Sequence, residues 1–501
     1  MIRFEHVSFH YGEAAHAAGV TDIDVCIGRG ACVVLCGESG CGKTTLTRLV
    51  NGLIPHYYEG TLEGRVLVDG QDVSAQPLYE TAPLVASVFQ NPRSQFFNVD
   101  TTSEVIFGCE NLGWPETQIQ ARLTETVRDF QLEPLMDRNI FKLSGGEKQR
   151  IACAGAAMMA TPVIVLDEPS ANLDAGATEA LRRVLARWKA QGKTILISEH
   201  RLYYLQGIAD RFIYLEQGRI THDWSAAAFA ALSAQERETL GLRAYDLSEL
   251  RPSVLPEDGD EKLVLAPQGA FSGSFAAIDL EDFHFAYKHE PPLLAIDRAE
   301  LPAGRIVGII GDNGAGKSTF ARCFCGLEKG CGLIRWRGET LRPKERLQRT
   351  YLVMQETGHQ LFTESVLEEV LVSMAEPDTA QAEAILAQLD LLALAQRHPL
   401  SLSGGQQQRV AVASAIAAGR SLLFFDEPTS GLDRRHMLEV AAVLRDLCAR
   451  GMSCYVITHD LELICACCSE IVRIERGRIA EQYHLDEQGL ARVRTAFFGE
   501  G

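Results

Sequence analysis

The spacing of hydrophobic positions follows the same course in both halves of the chain. Apolar and polar residues alternate over residues 7–11 and again over 283–287, and a period of two predicts a half-buried strand. A continuous apolar stretch comes next in each half, A-C-V-V-L-C at 31–36 and I-V-G-I-I at 306–310. Each stretch runs into a glycine-rich segment and then a helical pattern. The sequence therefore predicts strand, glycine loop and helix in succession, twice in one chain.

Longer motifs show that the chain is an internal repeat. G-E-S-G-C-G-K-T at 37–44 recurs as G-D-N-G-A-G-K-S at 311–318, L-S-G-G-E-K-Q-R at 143–150 as L-S-G-G-Q-Q-Q-R at 402–409, and V-I-V-L-D-E-P-S at 163–170 as L-L-F-F-D-E-P-T at 422–429. Neither pattern continues through the Pro-, Gly- and acid-rich stretch between them, which begins with a short helical pattern. We therefore expect a first domain at 1–225, a linker at 226–275 and a second domain at 276–501.

Composition narrows the classes of protein that this chain can be. Its 501 residues leave room for two or more cores, and 48 basic against 66 acidic side chains give a net charge of −18, which disfavours nucleic-acid binding. The sequence has no apolar run long enough to span a membrane and no signal-peptide pattern at its start, so we expect a soluble protein kept inside the cell. The 14 cysteines are scattered. We expect buried reduced thiols, with a metal or redox site at Cys465, Cys467 and Cys468 as the alternative.

Both glycine loops have the spacing of a phosphate-binding loop. Their glycines let backbone N–H groups converge on phosphate oxygens, and the N-terminus of the following helix adds a favourable dipole. Lys43 and Lys317 would reach the β- and γ-phosphates, and Thr44 and Ser318 offer hydroxyls to Mg²⁺. The residues expected to hold nucleotide are Gly37, Glu38, Ser39, Gly40, Cys41, Gly42, Lys43, Thr44 and Thr45 in the first loop and Gly311, Asp312, Asn313, Gly314, Ala315, Gly316, Lys317, Ser318 and Thr319 in the second.

An acidic pair ends an apolar stretch in each half. Asp167 and Asp426 follow four apolar residues, at the carboxyl end of a predicted parallel strand, where ligands bind in such sheets. A carboxylate there can hold the metal through water. Glu168 and Glu427 come next and are placed to polarise an attacking water. The alternative is a pair of solvated charges at a strand end, which the apolar run and the following proline disfavour.

A third motif identifies a family. The serine of L-S-G-G lies 23 residues before the strand aspartate in both halves. Its hydroxyl and two glycine N–H groups open a helix and form a second phosphate cradle, although a simple helix cap also uses serine. The motif, formed by Ser144, Gly145, Gly146, Ser403, Gly404 and Gly405, resembles the signature of ATP-binding cassette (ABC) ATPases. The resemblance covers nearly all of both halves.

The resemblance implies an α/β fold of two P-loop NTPase nucleotide-binding domains in tandem. Each would have a RecA-like core, an antiparallel β subdomain and a helical signature subdomain. It also implies ATP and Mg²⁺ as cofactors, with each ATP held between the glycine loop of one half and the signature of the other. Lys43 would then face Ser403, and Lys317 would face Ser144. The two halves would pair within the chain around two ATP molecules.

Further family positions can be matched one at a time. They are Tyr11 and Tyr287, which look like the aromatic residue that stacks on adenine; Gln90 and Gln355, which look like the glutamine that senses the γ-phosphate and Mg²⁺; His200 and His459, which resemble the switch histidine; and Asp174 and Asp433, which resemble the loop at the dimer interface. The expected catalytic set is Glu168, Glu427, His200, His459, Gln90 and Gln355, and the expected metal set is Thr44, Gln90, Asp167, Ser318, Gln355 and Asp426. As bare sequence, the tyrosines could equally be strand core.

The sequence departs from the family pattern at few positions. Glu147 follows S-G-G where Gln is commoner, Asn172 stands where Ala or Gly is usual, and Glu199 precedes the histidine where Thr is usual. Cys41 is an unusual loop residue. None of these changes removes a reacting group, so we expect both sites to hydrolyse ATP, at unequal rates.

One segment points to a class of ABC protein. Residues 93–108 and 358–371 resemble a segment of the ATPases of energy-coupling factor importers, which take up vitamins or transition-metal ions. That resemblance implies a peripheral protein on the cytoplasmic face of the membrane, docked on a transmembrane coupling protein beside a separate substrate-capture subunit. The alternatives are a ribosome-associated tandem protein, disfavoured by the acidic linker, a chromosome-type ATPase, disfavoured because no long heptad stretch interrupts either half, and another importer class such as a tandem monosaccharide importer.

The same segments contain apolar residues with two open interpretations. Phe97 and Phe362 either pack their own helical subdomain or line a groove that receives an amphipathic helix of the coupling protein. The second interpretation predicts that Phe96→Asp and Leu361→Asp, or a charge at Gln95 and Gln360, abolish membrane recruitment.

Overall fold

The computed structural model describes residues 1–12, 19–171, 173–253, 277–288, 291–355 and 357–499. The chain divides into two compact units, Met1–Glu249 and Leu250–Gly501. Each unit contains one four-stranded antiparallel sheet and one six-stranded, mainly parallel sheet. The predicted tandem α/β fold is confirmed.

The first unit is built as follows. Its strands are Ile2–Tyr11 (β1), Gly19–Ile27 (β2), Cys32–Cys36 (β3), Gly60–Val68 (β4), Gln71–Asp72 (β5), Val85–Val88 (β6), Val163–Asp167 (β7), Thr194–Ser198 (β8), Arg211–Glu216 (β9) and Arg219–Ser225 (β10). Its helices are Lys43–Val50 (α1), Leu53–His56 (α2), Leu78–Thr81 (α3), Thr101–Asn111 (α4), Glu116–Phe130 (α5), Gly145–Met158 (α6), Ala175–Ala190 (α7), Ala226–Ala230 (α8) and Ala234–Thr239 (α9). The strand orders are β2-β1-β4-β5 and β10-β9-β3-β8-β7-β6.

The second unit repeats this plan. Its strands are Ile278–Phe285 (β11), Leu294–Leu301 (β12), Ile306–Ile310 (β13), Leu333–Trp336 (β14), Glu339–Leu341 (β15), Thr350–Val353 (β16), Leu422–Asp426 (β17), Ser453–Ile457 (β18), Glu470–Glu475 (β19) and Arg478–His484 (β20). Its helices are Lys317–Cys325 (α10), Pro343–Arg349 (α11), Val366–Ser373 (α12), Thr379–Gln388 (α13), Gly404–Ala417 (α14), Arg434–Ala449 (α15), Leu461–Cys467 (α16) and Glu487–Phe498 (α17). The strand orders are β12-β11-β14-β15 and β16-β17-β18-β13-β19-β20.

The parallel strands at the centre of each larger sheet are buried along their length. Every residue of β3, β8, β13, β17 and β18 is buried, which suits strands covered on both faces. In the first unit one core cluster joins this sheet to helices α4–α7, and a second joins it to the antiparallel sheet. The carboxyl ends of β3 and β7 lie at the same edge of the sheet because both run parallel to β8. This arrangement brings the glycine loop and the acidic pair to one edge.

Residues 226–249, which the sequence analysis assigns to the linker, pack with the first unit. The predicted helical start of this stretch is present as α8 and α9. Phe229 is fully buried and stacks on Phe212 of β9 with 3.9 Å between ring centroids. The middle of the predicted linker, 254–276, lies outside the described residues.

The cysteines are free thiols, and twelve of the 14 are buried, Cys26 and Cys448 being the exceptions. Burial raises the pKa of thiols such as Cys465, whose pKa is about 12. Among the described residues no group of three or more His, Cys, Asp or Glu side chains could hold a metal ion. Within the same ranges no helix is long and apolar enough to cross a membrane.

Candidate ATP-hydrolysis sites

The first glycine loop connects β3 to α1 and folds around the amine of Lys43. Lys43 Nζ donates to the carbonyl oxygens of Gly37 at 2.9 Å and Glu38 at 2.8 Å. Gly37 has φ 136°, and a Cβ atom there would lie 2.3 Å from the Leu215 carbonyl oxygen. Only glycine fits, because the loop passes this close to β9.

The second loop has the same geometry between β13 and α10. Lys317 Nζ donates to Gly311 O at 2.6 Å and Asp312 O at 2.9 Å. A Cβ atom on Gly311 would lie 2.0 Å from the Ile474 carbonyl oxygen. Lys317 Nζ also lies 3.1 Å from His459 Nε2, so this ring nitrogen accepts the hydrogen bond from the ammonium group. Both loops therefore surround a lysine amine with their backbone carbonyl groups.

An aspartate stands beside each loop, at the carboxyl end of the parallel strand β7 or β17. Thr44 Oγ1 donates to Asp167 Oδ1 at 3.1 Å, and the Ser318 hydroxyl bonds Asp426. Burial, and then the charge of Glu168, raise the pKa of Asp167 to about 6. Burial also raises the pKa of Asp426, opposed by Ser318 and the charge of Lys317. Burial disfavours the negative charge of each aspartate, and a bound cation would offset that charge. A hydroxyl beside a carboxylate supplies the oxygen ligands that a divalent cation prefers.

Glu168 is turned out of the strand by a left-handed backbone conformation, φ 45°. Its backbone N–H donates to Ser198 O at 2.8 Å, so the turn is fixed against β8. Gln90 Nε2 donates to one carboxylate oxygen at 2.6 Å, and His200 Nε2 lies 3.4 Å from the other. The structure therefore brings together the three side chains of the first unit that the sequence analysis assigned to catalysis. Strain of about 1–3 kcal/mol in such a backbone is typical of functional sites.

Glu427 has the same left-handed backbone, φ 52°, but different neighbours. Its carboxylate lies 3.8 Å from His459 Nε2 and 3.3 Å from the hydroxyl of Thr458. Gln355 lies two residues beyond the end of β16, as Gln90 does beyond β6, and is exposed. The sequence analysis overlooked Thr458, although it noted that Glu199 replaces the usual Thr at the matching position.

The two tyrosines lie beside the first helix of each site. The hydroxyl of Tyr11 lies 3.3 Å from Thr45 Oγ1 and accepts from Arg48 at 3.1 Å. In the second unit the Tyr287 hydroxyl accepts from Arg322 at 2.8 Å. Both rings are half-buried at the mouth of the loop rather than fully in the core. The arginines are site residues that the sequence analysis missed, because nothing in a helical Arg marks it as a tyrosine partner.

Each signature serine begins a helix. Ser144 Oγ accepts from the Glu147 backbone N–H at 3.3 Å, and the Glu147 carboxylate accepts from the Ser144 backbone N–H at 2.8 Å. Ser403 and Gln406 form the same reciprocal pair at the start of α14. Ser144 and Ser403 are exposed, as are Gly145 and Gly404, whereas Gly146 is buried and Gly405 is half-buried. Glu147, a departure from the family pattern, thus serves the cap as well as Gln does.

The exposure of Phe97 and Phe362 distinguishes the two interpretations of these residues, packing in the helical subdomain or docking of a partner helix. Phe97 and Phe362 are 76% and 75% exposed, so the interpretation that they pack a core is wrong. The prediction that Phe96→Asp and Leu361→Asp affect docking alone is wrong, because Leu361 is buried and Phe96 packs against the core of the first unit. Gln95 accepts from the Phe89 N–H at 3.2 Å and donates to Ser87 O at 3.2 Å. It therefore holds the backbone of the segment.

Asp174 and Asp433 have a local role that the sequence analysis did not assign. Both are N-caps, with side chains that accept from the backbone of Ala177 at 2.7 Å and His436 at 2.9 Å. Asp433 is completely buried and also pairs with the His436 ring. Asn172, the departure noted in the first of these loops, lies outside the described residues.

Comparisons with known proteins agree with this geometry. The family model described as ABC transporter matches residues 20–171 and 296–430. A Treponema denticola protein named as an ABC transporter ATP-binding protein is 42% identical over 484 residues, which cover 96% of this chain and 97% of the relative. A Methanosarcina acetivorans protein named in the same way is 32% identical, over 95% of this chain and 85% of the relative.

Solved structures share the tandem fold. A structure described as RNase-L Inhibitor matches with a TM-score of 0.63 at 19% identity, over 98% of this chain and 93% of its own. A complex of archaeal ribosomal stalk protein aP1 and ribosome recycling factor aABCE1 matches with a TM-score of 0.63 at 20% identity, over 97% of this chain and 92% of its own. At this identity the likeness concerns the fold alone. From the family match and its full-length relatives, the chain is an ATP-binding, ATP-hydrolysing protein that belongs to the ABC transporter family.

Proposed function

We propose that this chain is the ATP-hydrolysing subunit of a membrane importer of the energy-coupling factor type. It works at the cytoplasmic face of the membrane on a transmembrane coupling protein, and a separate membrane subunit captures the vitamin or transition-metal ion. The full-length relatives named as transporter ATP-binding proteins support the transport role. The finer class is supported by the segments at 93–108 and 358–371.

The observation that carries the proposal is an exposed apolar surface on each unit, which we call the docking patch. In the first unit it is formed by the exposed Phe97, Val99 and Phe141 and the half-buried Phe107, and in the second unit by the exposed Phe362, Val372 and Leu400. Phe97 stacks on Phe107 with 5.1 Å between centroids, and the Ile140 N–H donates to Val99 O at 2.9 Å, beside Phe141. An apolar patch of this kind suits an amphipathic helix of a membrane partner.

Hydrogen bonds connect the docking patch to the hydrolysis site. Glu104, which is 8% exposed, accepts from the backbone N–H groups of Phe97 at 2.9 Å and Asn98 at 2.7 Å. Gln95 fastens the same segment to the end of β6, and Gln90, five residues earlier, donates to Glu168. The second unit repeats the anchoring of the segment, since Glu369 accepts from the Phe362 N–H at 3.0 Å and Gln360 donates to Leu352 O at 2.6 Å. Movement of a docked helix would thus reach the glutamine beside the base.

The nucleotide assignment completes the proposal. Lys43 and Lys317 bind the phosphates, the Thr44–Asp167 and Ser318–Asp426 pairs hold Mg²⁺, and Glu168 and Glu427 orient the attacking water. Bound Mg²⁺ supplies charge neutralisation of the phosphates. As the family resemblance implies, Ser144 and Ser403 complete the sites of the opposite halves.

The test uses two exposed positions in the full chain. The variant that combines Phe97→Asp with Phe362→Asp is expected to keep its melting temperature within about 2 °C of the parent, since both rings face solvent. Its basal rate of ATP hydrolysis should stay within about twofold of the parent. When it is expressed in place of the native protein, the same variant should be absent from the membrane pellet. It should also no longer co-purify with integral membrane proteins. Tyr79→Asp, at a side chain that is 73% exposed, is the matched control and should stay in the pellet.

Two outcomes would decide against the proposal. If the double variant still sediments with membranes and its integral partners, the docking patch is not the contact. If instead the parent chain sediments with ribosomes on a sucrose gradient and not with membranes, the ribosome-associated alternative applies. Leu361→Asp should unfold the second unit, because Leu361 is 4% exposed, and it separates loss of docking from loss of fold.

A further inference from the structure

The residue before the switch histidine differs in chemistry between the two units. It is Glu199 in the first unit and Thr458 in the second, each 31 residues after the catalytic glutamate. Both side chains are buried, 2% and 0% exposed, just beyond the ends of the matching strands β8 and β18. A buried acid and a buried hydroxyl cannot make the same hydrogen bonds, because a carboxylate only accepts.

The hydroxyl of Thr458 is directed at the base of the second site. Thr458 Oγ1 lies 3.3 Å from Glu427 Oε2 and accepts from the Asp460 backbone N–H at 3.0 Å. Because Asp460 donates to the hydroxyl oxygen, the hydroxyl's own proton is available for the carboxylate. The backbone N–H of His459 approaches the same Oε2 at 3.5 Å. The loop that carries the switch histidine, which we call the switch loop, thus contacts the carboxylate of Glu427 directly.

Glu199 makes a different set of contacts. Its Oε2 accepts from the backbone N–H groups of His200 at 2.7 Å and Arg201 at 3.1 Å. Its Oε1 accepts from the Ser170 N–H at 3.1 Å and the Tyr204 hydroxyl at 2.8 Å. Glu199 therefore joins the switch loop to the loop that follows the acidic pair.

The second unit makes that join with other residues. The Thr429 hydroxyl, at the position matching Ser170, donates to Asp460 Oδ2 at 2.8 Å. Asp460 matches Arg201, so the acid that joins the two loops stands two positions later in the second unit. Because Asp460 joins the two loops, the residue before His459 need not be an acid, and Thr458 places a hydroxyl there.

We propose that Thr458 is a positioning residue for Glu427, and that Glu199 cannot take this part in the first site, where Gln90 donates to Glu168. The two hydrolysis sites then differ in how the base is held rather than in which groups react. This inference rests on ATP hydrolysis and not on the proposed membrane partner, so a failure of docking leaves it standing.

The test measures one site in the full chain. In the Glu168→Gln background, single-turnover hydrolysis reports on Glu427, with the chain in excess over ATP and Mg²⁺ present. Thr458→Val is expected to lower the hydrolysis rate constant about 3- to 10-fold, the effect of one lost hydrogen bond, while the Kd for ATP changes by less than about twofold. Thr458→Ser keeps the hydroxyl and should restore the rate to within about twofold of the parent.

The matched control is Thr429→Val. Its hydroxyl is as buried, 1% exposed, and also donates to a carboxylate, but to Asp460 rather than to the base. It should lower the melting temperature by about 2–5 °C and leave the rate constant unchanged. In the Glu427→Gln background, Glu199→Gln should likewise lower the melting temperature, because three backbone donors share this acceptor.

The proposal fails if Thr458→Val hydrolyses as fast as Thr458→Ser, or if its loss lies wholly in ATP affinity. It also fails if Thr429→Val slows hydrolysis as much as Thr458→Val, since the effect would then belong to loop stability. Equal loss of rate in Glu199→Gln, without a change in melting temperature, would contradict the division of roles between the sites.

Discussion

The charge of Asp167 destabilises the first unit in the absence of a cation. The pKa of this carboxyl is about 6 in the folded chain against 3.8 for a free aspartate, because burial and then Glu168 oppose its ionisation. A folded-state pKa above the unfolded value means that the folded chain binds the proton more tightly. The cost is therefore absent below about pH 4, grows between pH 4 and 6, and is complete above pH 6.

The size of this cost follows from the shift in pKa. A difference of about 2 pH units corresponds to about 3 kcal/mol at pH 7.5, and residual solvent at this partly buried group lowers it to about 2–3 kcal/mol. Asp167→Asn removes the charge and keeps an oxygen that can accept from Thr44. We therefore expect it to raise the melting temperature of the first unit by about 5–10 °C at pH 7.5. At pH 5, where Asp167 is largely protonated, the gain should fall to about half.

Thermal unfolding of the full chain in EDTA, scanned between pH 5 and 8, measures this effect. ATP hydrolysis with Mg²⁺ should be lost in the same variant, so the experiment shows stability and activity moving in opposite directions. Asp100→Asn is the opposite control, because the Ser103 backbone N–H lowers the pKa of Asp100 and its charge therefore stabilises the fold at pH 7.5. An Asp167→Asn variant that melts at or below the parent temperature, or a gain that does not depend on pH, would refute the reasoning.

Two further predictions concern hydrolysis. Glu168→Gln and Glu427→Gln should each bind ATP as tightly as the parent while turnover falls by about 10²- to 10⁴-fold at the altered site, measured by single-turnover hydrolysis; rapid hydrolysis in the double variant would remove these residues from the mechanism. Ser144→Glu and Ser403→Glu place a negative charge where the opposite half is proposed to present a γ-phosphate. Each should slow hydrolysis at least about tenfold with nucleotide binding by the glycine loops retained, and full activity in both would contradict the pairing of the halves.

The sequence alone determined the features that depend on local chemistry. Glycine, lysine and hydroxyl spacing predicted the loops around Lys43 and Lys317, since only glycine passes the carbonyl groups of Leu215 and Ile474 at such short range. The apolar run before Asp167 predicted a strand that ends at the ligand-binding edge. The repeated motifs predicted two units of one fold, because the same local pattern buries the same surfaces.

The tertiary structure decided which side chains face solvent and which face one another. Phe96 and Phe97 are identical neighbouring residues, yet Phe97 is exposed and Phe96 packs on the core. The direction of this irregular segment is set by its hydrogen bonds through Gln95 and Glu104. The boundary between the first unit and the linker also depends on tertiary contacts. Residues 226–249 have the composition of a linker, but Phe229 is fully buried and stacks on Phe212 of β9, a contact that composition does not reveal.

The difference between the two sites also required the folded chain. The sequence places Glu199 before His200 and Thr458 before His459, and the departure at Glu199 removes no reacting group. It could not show that one side chain points away from the base and the other toward it. That choice depends on whether the acid of the switch loop precedes or follows the histidine, and so on which backbone N–H groups it satisfies. The hydrogen bonds that decide it join residues 29 and 31 positions apart and are set by strand packing, which a local sequence pattern does not contain.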